Sequence, residues 1–333
     1  MVETAFTSEH EAELAEIKAL SSDLNERLKE GLATLQEIRE SQEKALRGGV
    51  EPLLAFVHIP KTAGGTVISM FAAAYSKQAV RDGGNYLRSP EKTVSAVANP
   101  RKRRGRVLAG HVPYRVYRDH LPSDTRYMTF LREPVDRVLS HYYRHVLAKD
   151  PRVEKSVRRP GRGGNRPDTP QELEVKADLL EEALVERRLP HLTNLCTRFL
   201  CGHASPLEDL PASAVDDAKE VVSQFAFVGI QERFEESLVL LQRLLGLGSI
   251  PYQDRHVSLA GGRPSVDELP DEQRALIVEH NQLDAELYRF GLGLFENAVA
   301  GAGDGFAEDV EALRARSATA REEEWHETRS AQG

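Results

Sequence analysis

Leu53-Leu54-Ala55-Phe56-Val57-His58-Ile59-Pro60-Lys61-Thr62-Ala63-Gly64-Gly65-Thr66 sets an apolar run directly before a turn of lysine, threonine and glycine. A short apolar run bounded by turn residues is the pattern of a strand buried on both faces, the kind found in parallel sheets. Residues 53–59 are therefore expected to form such a strand, and residues 65–75 the apolar helix after it. The turn between them has the makings of an anion cradle. Backbone N–H groups at a helix N-terminus point at the ligand, glycines allow close approach, and a lysine adds a full charge. The order of residues separates it from a triphosphate loop. In G-x-x-x-x-G-K-[ST] the lysine follows the second glycine, whereas Lys61 comes before Gly64 and Gly65.

Further strands are expected at residues 106–110, 126–131 and 225–230. Helices are expected over 134–148, with Pro134 in the first turn, and near 171–188, 191–201, 213–223, 233–245, 270–280 and 282–297. Strands alternating with helices imply an α/β fold, a P-loop-like parallel sheet flanked by helices, filling residues 50–298. Ahead of it, residues 1–49 hold Leu14, Ile17, Leu24, Leu28, Leu35, Ile38 and Ala45 on a seven-residue spacing, interrupted at Ser21, Gly31 and Gln42. That spacing predicts a coiled-coil helix which needs a partner, either another copy of the chain or its own body. Residues 299–333 are charged and rich in small residues, and read as a disordered or loosely helical tail. Arginine and glycine fill the 150–170 loop, and 250–268 forms a second long connection of the kind that often serves function.

Composition excludes several classes. A net charge of −8 disfavours wholesale nucleic-acid binding, although basic runs such as Arg101-Lys102-Arg103-Arg104-Gly105-Arg106 remain available to steer an anionic partner or simply to be solvated. No apolar stretch has the ~18 residues that a membrane span requires, and the first residues lack the basic-then-apolar order of a signal peptide. With two cysteines, Cys196 and Cys201, a disulfide framework is not available. A cytoplasmic setting is expected. His191, Cys196, Cys201 and His203 lack the paired spacing of zinc ligands, so no metal is expected.

A second informative segment is Leu131-Arg132-Glu133-Pro134-Val135-Asp136-Arg137-Val138-Leu139-Ser140. Here a strand ends in arginine, proline starts a helix, and a serine follows two turns in. Arginine's planar fork and a hydroxyl on one helix face make a receptor for a phosphate monoester. The body thus offers two anion sites, each where a strand meets a helix.

Together, His58-Ile59-Pro60-Lys61-Thr62-Ala63-Gly64-Gly65-Thr66 and Leu131-Arg132-Glu133-Pro134 with Ser140 resemble the paired motifs of sulfotransferases that use 3′-phosphoadenosine 5′-phosphosulfate (PAPS). The branch that includes the heparan sulfate O-sulfotransferases and many bacterial proteins is the most similar in pattern. The resemblance implies the sulfotransferase fold and PAPS as co-substrate. It also implies that Lys61, Thr62, Ala63, Gly64, Gly65 and Thr66 hold the 5′-phosphosulfate while Arg132 and Ser140 hold the 3′-phosphate. Lys61 would stabilise charge on the bridging oxygen, and a histidine would take the acceptor's proton. Leu108-Ala109-Gly110-His111-Val112 is similar to the segment that carries the base in 2-O-sulfotransferases, which nominates His111. His58, His141 and His256 are the other histidines weighed, His58 as an orienting residue. Asn194-Leu195-Cys196-Thr197-Arg198-Phe199-Leu200-Cys201-Gly202 is similar to a family stretch and is expected near the pocket. A carbohydrate or glycoconjugate hydroxyl is the expected acceptor, with a lipid or small metabolite as the alternative. A nucleotide kinase and a non-catalytic coiled-coil scaffold are the readings from other classes.

Overall fold

The computed structural model describes residues 53–101, 105–147, 150, 170–186, 189–202, 209–252 and 263–330. The coiled-coil expectation for 1–49, most of the 150–170 loop, Lys102 to Arg104, His203 and His256 lie outside these residues. Five strands, β1 (Leu54–Val57), β2 (Val80–Asn85), β3 (Val107–His111), β4 (Arg126–Leu131) and β5 (Phe227–Ile230), form one sheet in the order β2-β3-β1-β4-β5. Every pairing is parallel. The helices that follow in chain order are α1 (Gly64–Tyr75), α2 (Pro90–Ala98), α3 (Tyr114–His120), α4 (Pro134–His141), α5 (Pro170–Glu181) and α6 (Leu195–Leu200). The later ones are α7 (Ala214–Ser223), α8 (Phe234–Leu244), α9 (Asp271–Glu279), α10 (Gln282–Ala300) and α11 (Phe306–Ser330).

All four residues of β1 are buried. Because side chains alternate along a strand, Ala55 and Val57 enter one core with α3, α6, α7 and α10, and Leu54 and Phe56 enter a second with α1, α8 and α11. A continuous apolar run, rather than an alternating one, is what a strand covered on both faces requires. A third apolar cluster joins α4, α5 and α9 beside these two. No helix among the described residues is long and apolar enough to cross a membrane.

β2, α2 and α3 are not among the elements the sequence predicts. β2 is built from Val80-Arg81-Asp82-Gly83-Gly84-Asn85, an edge strand with two glycines and a register shift between Asp82 and Gly84. Its intrinsic preference for strand is poor; the pairing with β3 supplies the structure, and a Cβ on Gly110 of β3 would sit 2.7 Å from the Gly84 carbonyl oxygen. The charged segment after Gly301 forms α11, with Val310, Leu313 and Ser317 buried. There the Ser317 hydroxyl accepts from the Tyr252 amide at 3.1 Å, and Arg243 pairs with Asp309.

The Asn194–Thr197 stretch proves to be an anchor. Asp284 on α10 accepts from the amides of Cys196 (3.0 Å) and Thr197 (2.8 Å) and from the Thr197 hydroxyl (2.9 Å). It also faces the Arg137 guanidinium at 3.8 Å, with both side chains fully buried. Asn281 extends the clamp by accepting from the Asn194 amide and donating to the Leu192 carbonyl. Removing one partner of a buried ion pair leaves an uncompensated charge, so Asp284→Ala should lower unfolding free energy by about 3–5 kcal/mol in a denaturant titration. A loss below about 1 kcal/mol would mean that the clamp contributes little.

Candidate active site

From β1 the chain runs to the β2 edge, returns through β3, and crosses to β4 on the opposite side of β1. In an open parallel sheet, such a reversal of strand order opens a crevice outside the carboxyl ends of the strands. Four strands end there in polar residues: β1 is followed by His58, β3 ends in His111, β4 is followed by Arg132, and β5 leads through Gln231 to Glu232.

The cradle between β1 and α1 depends on an unusual backbone. Lys61 (φ 74°) and Ala63 (φ 62°) both occupy the left-handed region without being glycine, a cost of order 1–3 kcal/mol each of the kind that clusters at ligand clamps. Two contacts hold the turn in this shape. Thr62 is buried and its hydroxyl donates to the Ile59 carbonyl at 2.9 Å. Arg132 donates through Nη1 to the Lys61 carbonyl at 3.1 Å. The first internal bonds of α1 run from the Thr66 and Val67 amides to the Ala63 carbonyl. The amides of Gly64 and Gly65 therefore precede the helical ladder and are available to an anion. Glycine at 64 is dictated by His58: a Cβ there would lie 2.0 Å from the imidazole Cδ2. The Thr62 side chain thus closes the turn, while Lys61 and the glycine amides present charge to the crevice.

The Lys61 ammonium has neither a hydrogen bond nor an ion pair among the described residues. Burial, together with the positive charges of Arg144, Arg132 and Arg263, pulls its ammonium down to about 8. A lysine whose charge is disfavoured by neighbouring arginines is the electrostatic mark of a site suited to an anion. One carboxylate stands among them. Asp136, one turn into α4, accepts from Nε and Nη2 of Arg132 and, at 2.6 Å, from Nη1 of Arg263. Burial alone would raise the Asp136 carboxyl, but the two arginines outweigh it and hold it below the usual range.

Arg132 is held in place from both ends. Glu133 caps α4 by accepting from the amides of Val135 and Asp136. The Glu133 amide in turn donates to Glu232 at the end of β5 (2.8 Å), whose second oxygen accepts from the Tyr288 hydroxyl. Ser140 lies on the same helix four residues after Asp136, is 5% exposed, and its hydroxyl makes no hydrogen bond among the described residues. Its hydroxyl is therefore available to a ligand beside the Arg132–Asp136 pair.

His111 ends β3 next to the cradle, its ring 4.3 Å from that of His58. Its Nδ1 lies 2.9 Å from the His58 carbonyl oxygen. A carbonyl can only accept, so Nδ1 carries the proton and Nε2 keeps its lone pair. Burial lowers the imidazole below its ordinary 6.5, despite the opposing His58 carbonyl and Asp82. The result is a neutral base with its tautomer fixed. His141 is different. Burial, aided by Arg137 and the neighbouring histidines, pushes it down to about 2, and its Nδ1 is buried without a partner. It packs 4.8 Å from His145 and 5.2 Å from His191 as part of the wall behind Lys61.

The structure thus gathers Lys61, the Gly64–Gly65 amides, Arg132, Ser140 and His111 at one sheet edge. Sequence reasoning missed Asp136, Arg144 and Glu232, and placed Arg263 only within the long 250–268 connection. Asp136 and Arg144 fall at four-residue intervals from Ser140, a signal that helical periodicity could have revealed. Arg263 reaches Asp136 across 127 residues, for which no local pattern exists. No group of metal-binding side chains occurs among the described residues.

The family model described as Sulfotransferase family matches residues 51–291, the greater part of the 333-residue chain. No curated protein matches the sequence.

Proposed function

Because the chain belongs to the sulfotransferase family, we propose that it moves a sulfuryl group from PAPS to a hydroxyl of a carbohydrate or glycoconjugate, with His111 as the base. The observation that carries this reading is the juxtaposition at one sheet edge of a Lys61 ammonium that pairs with no described residue and a histidine whose lone-pair nitrogen is fixed by the His58 carbonyl. When bound, PAPS supplies the sulfuryl group and departs as adenosine 3′,5′-bisphosphate. Lys61 and the Gly64 and Gly65 amides would hold the 5′ end, and Arg132 and Ser140 the 3′-phosphate. Lys61 lies where negative charge builds on the departing oxygen, and a fixed charge there acts more strongly in the transition state than in the ground state. His111 accepts the acceptor's proton at Nε2 and becomes the imidazolium, with Nδ1 anchored throughout. Sulfuryl transfer, like phosphoryl transfer, asks for positioning and charge neutralisation more than for covalent help.

The test is transfer of labelled sulfate from PAPS to matched panels of glycans, lipids and small hydroxyl compounds. Label appearing on glycans supports the reading, and label confined to lipids or small metabolites replaces the acceptor. Transfer of a phosphoryl group from ATP-magnesium, with no sulfate transferred from PAPS, would refute it.

The pH dependence follows from the two titrating groups. Lys61 must be protonated, which holds below about 8 in the free protein. His111 must be neutral, which holds above a value displaced downward from 6.5. A plot of kcat/KM should therefore be bell-shaped, with its alkaline limb near 8 and its acid limb below 6.5. In the kcat profile, bound donor raises the Lys61 value and moves the alkaline limb upward. Lys61→Arg, which cannot titrate in this range, should abolish that limb, and its persistence would assign the limb to another group.

A further inference from the structure

The two strand-to-helix turns at the crevice differ in how far the protein's own groups satisfy them. After β1, the Lys61 ammonium pairs with no described residue. After β4, all three nitrogens of the Arg132 guanidinium are engaged: Nε and Nη2 donate to Oδ2 of Asp136, and Nη1 donates to the Lys61 carbonyl. The other carboxylate oxygen of Asp136 accepts from Nη1 of Arg263 at 2.6 Å, and the same nitrogen donates to the Asp136 carbonyl at 3.1 Å. The first amides of α4 are taken as well, since Val135 and Asp136 donate to the Glu133 carboxylate.

A carboxylate and a phosphate monoester compete for the same edge of a guanidinium. Arg132 can present Nε and Nη2 together to a phosphate only by letting go of Asp136. Burial would raise the Asp136 carboxyl, but Arg132 and Arg263 outweigh burial and keep it ionised. The cluster is also open to exchange, because Arg132 is 12% exposed and Asp136 and Arg263 are 21% exposed each. Ser140 needs no exchange, for its hydroxyl makes no hydrogen bond among the described residues. Asp136 and Ser140 stand only about 6 Å apart along α4. A phosphate bound by Arg132 and Ser140 therefore keeps a carboxylate beside it, and like charges at that separation repel.

We propose that Asp136 is a positioning residue that acts through Arg132 as an internal competitor of the nucleotide's second phosphate. It fills the guanidinium edge that the phosphate must take, and it speeds departure of adenosine 3′,5′-bisphosphate by reclaiming that edge. The inference rests on the sulfotransferase reading of the same site and deepens it by assigning to this carboxylate the rate at which the product leaves.

The test compares the full chain with Asp136→Asn, which removes the charge and keeps an oxygen that accepts from Arg132. Calorimetric titration should show adenosine 3′,5′-bisphosphate binding about tenfold or more tighter to the variant, while adenosine 5′-monophosphate changes less than twofold. Displacement of a fluorescent bisphosphate analogue, followed by stopped flow, should assign the gain to slower dissociation. Asp136→Glu, which keeps the charge, should show no such gain. Equal or weaker bisphosphate binding by Asp136→Asn overturns the inference, because Asp136 would then do no more than hold Arg132 in place. So does a gain shared equally by the monophosphate, by Asp136→Glu, or carried by faster association alone. Should Asp136→Asn fail to fold, Asp136→Ser carries the same expectation, and loss of folding in both variants overturns the inference by making the carboxylate structural. If the unaltered protein binds the bisphosphate no tighter than the monophosphate, the sulfotransferase reading itself fails, a result read from the parent protein alone and so distinguishable from the others.

Discussion

Lys61→Ala should lower kcat for sulfuryl transfer by about 10²–10³-fold at saturating donor, the loss seen when one preorganised donor to a developing oxyanion is removed. Among the described residues, Lys61 is the side-chain cation of the cradle turn that no partner neutralises, whereas Arg132 and Arg263 share Asp136. Its backbone is held by Arg132 at the Lys61 carbonyl and by the neighbouring Thr62–Ile59 bond, so deleting the side chain leaves the turn supported. The variant should therefore fold with an unchanged melting temperature or a slightly raised one, since a half-buried cation repelled by three arginines is lost. Donor affinity should also weaken. Lys61→Arg is not a conservative rescue, because a fork replaces a point charge in a turn shaped for the latter. Steady-state kinetics with labelled PAPS checks this, and a kcat within threefold of the parent would remove Lys61 from the chemistry.

His111→Gln should lower kcat by about 10²–10⁴-fold, the range for loss of a positioned general base. Glutamine can still donate to the His58 carbonyl in place of Nδ1, so the contact that supports the edge of the sheet is largely kept. Affinity for adenosine 3′,5′-bisphosphate should change little. The residual activity should also lose the acid limb of the pH profile. His191→Gln is the control: its imidazole is likewise lowered by burial and by Arg137, yet its Nδ1 has no hydrogen-bond partner among the described residues. If the acid limb survives in His111→Gln and vanishes in His191→Gln, the base has been assigned to the wrong histidine.

The two motifs were legible because each is contiguous and each ends a strand. Strand β1, buried along its whole length, has to read as an unbroken apolar run, and the turn after it has to contain residues that tolerate close approach. The same logic located β4, α4 and Ser140. What could not be read was long-range. Glycine at 64 looked like a ligand requirement, and the structure adds a steric one from His58. Strand β2 has no strand-like composition and exists because β3 offers it a ladder. The Asn194–Thr197 stretch looked like part of a pocket, but its polar groups are turned toward Asn281 and Asp284. Asp136 carries no local signal beyond its place in the first turn of α4. Its partners, Arg132 at one turn and Arg263 at 127 residues, make it the carboxylate that keeps two arginines in position.

The central claim is that the lysine cradle and the Arg132–Ser140 pair are two halves of one bisphosphate receptor. Calorimetric titration of the full chain with adenosine 3′,5′-bisphosphate and with adenosine 5′-monophosphate measures this directly. A charge-assisted contact to the second phosphate is worth about 1.5–3 kcal/mol, so the bisphosphate should bind about 10–100-fold tighter, and Arg132→Ala should close most of that gap. Equal affinities for the two nucleotides, or a preference for ATP-magnesium over both, would contradict the account.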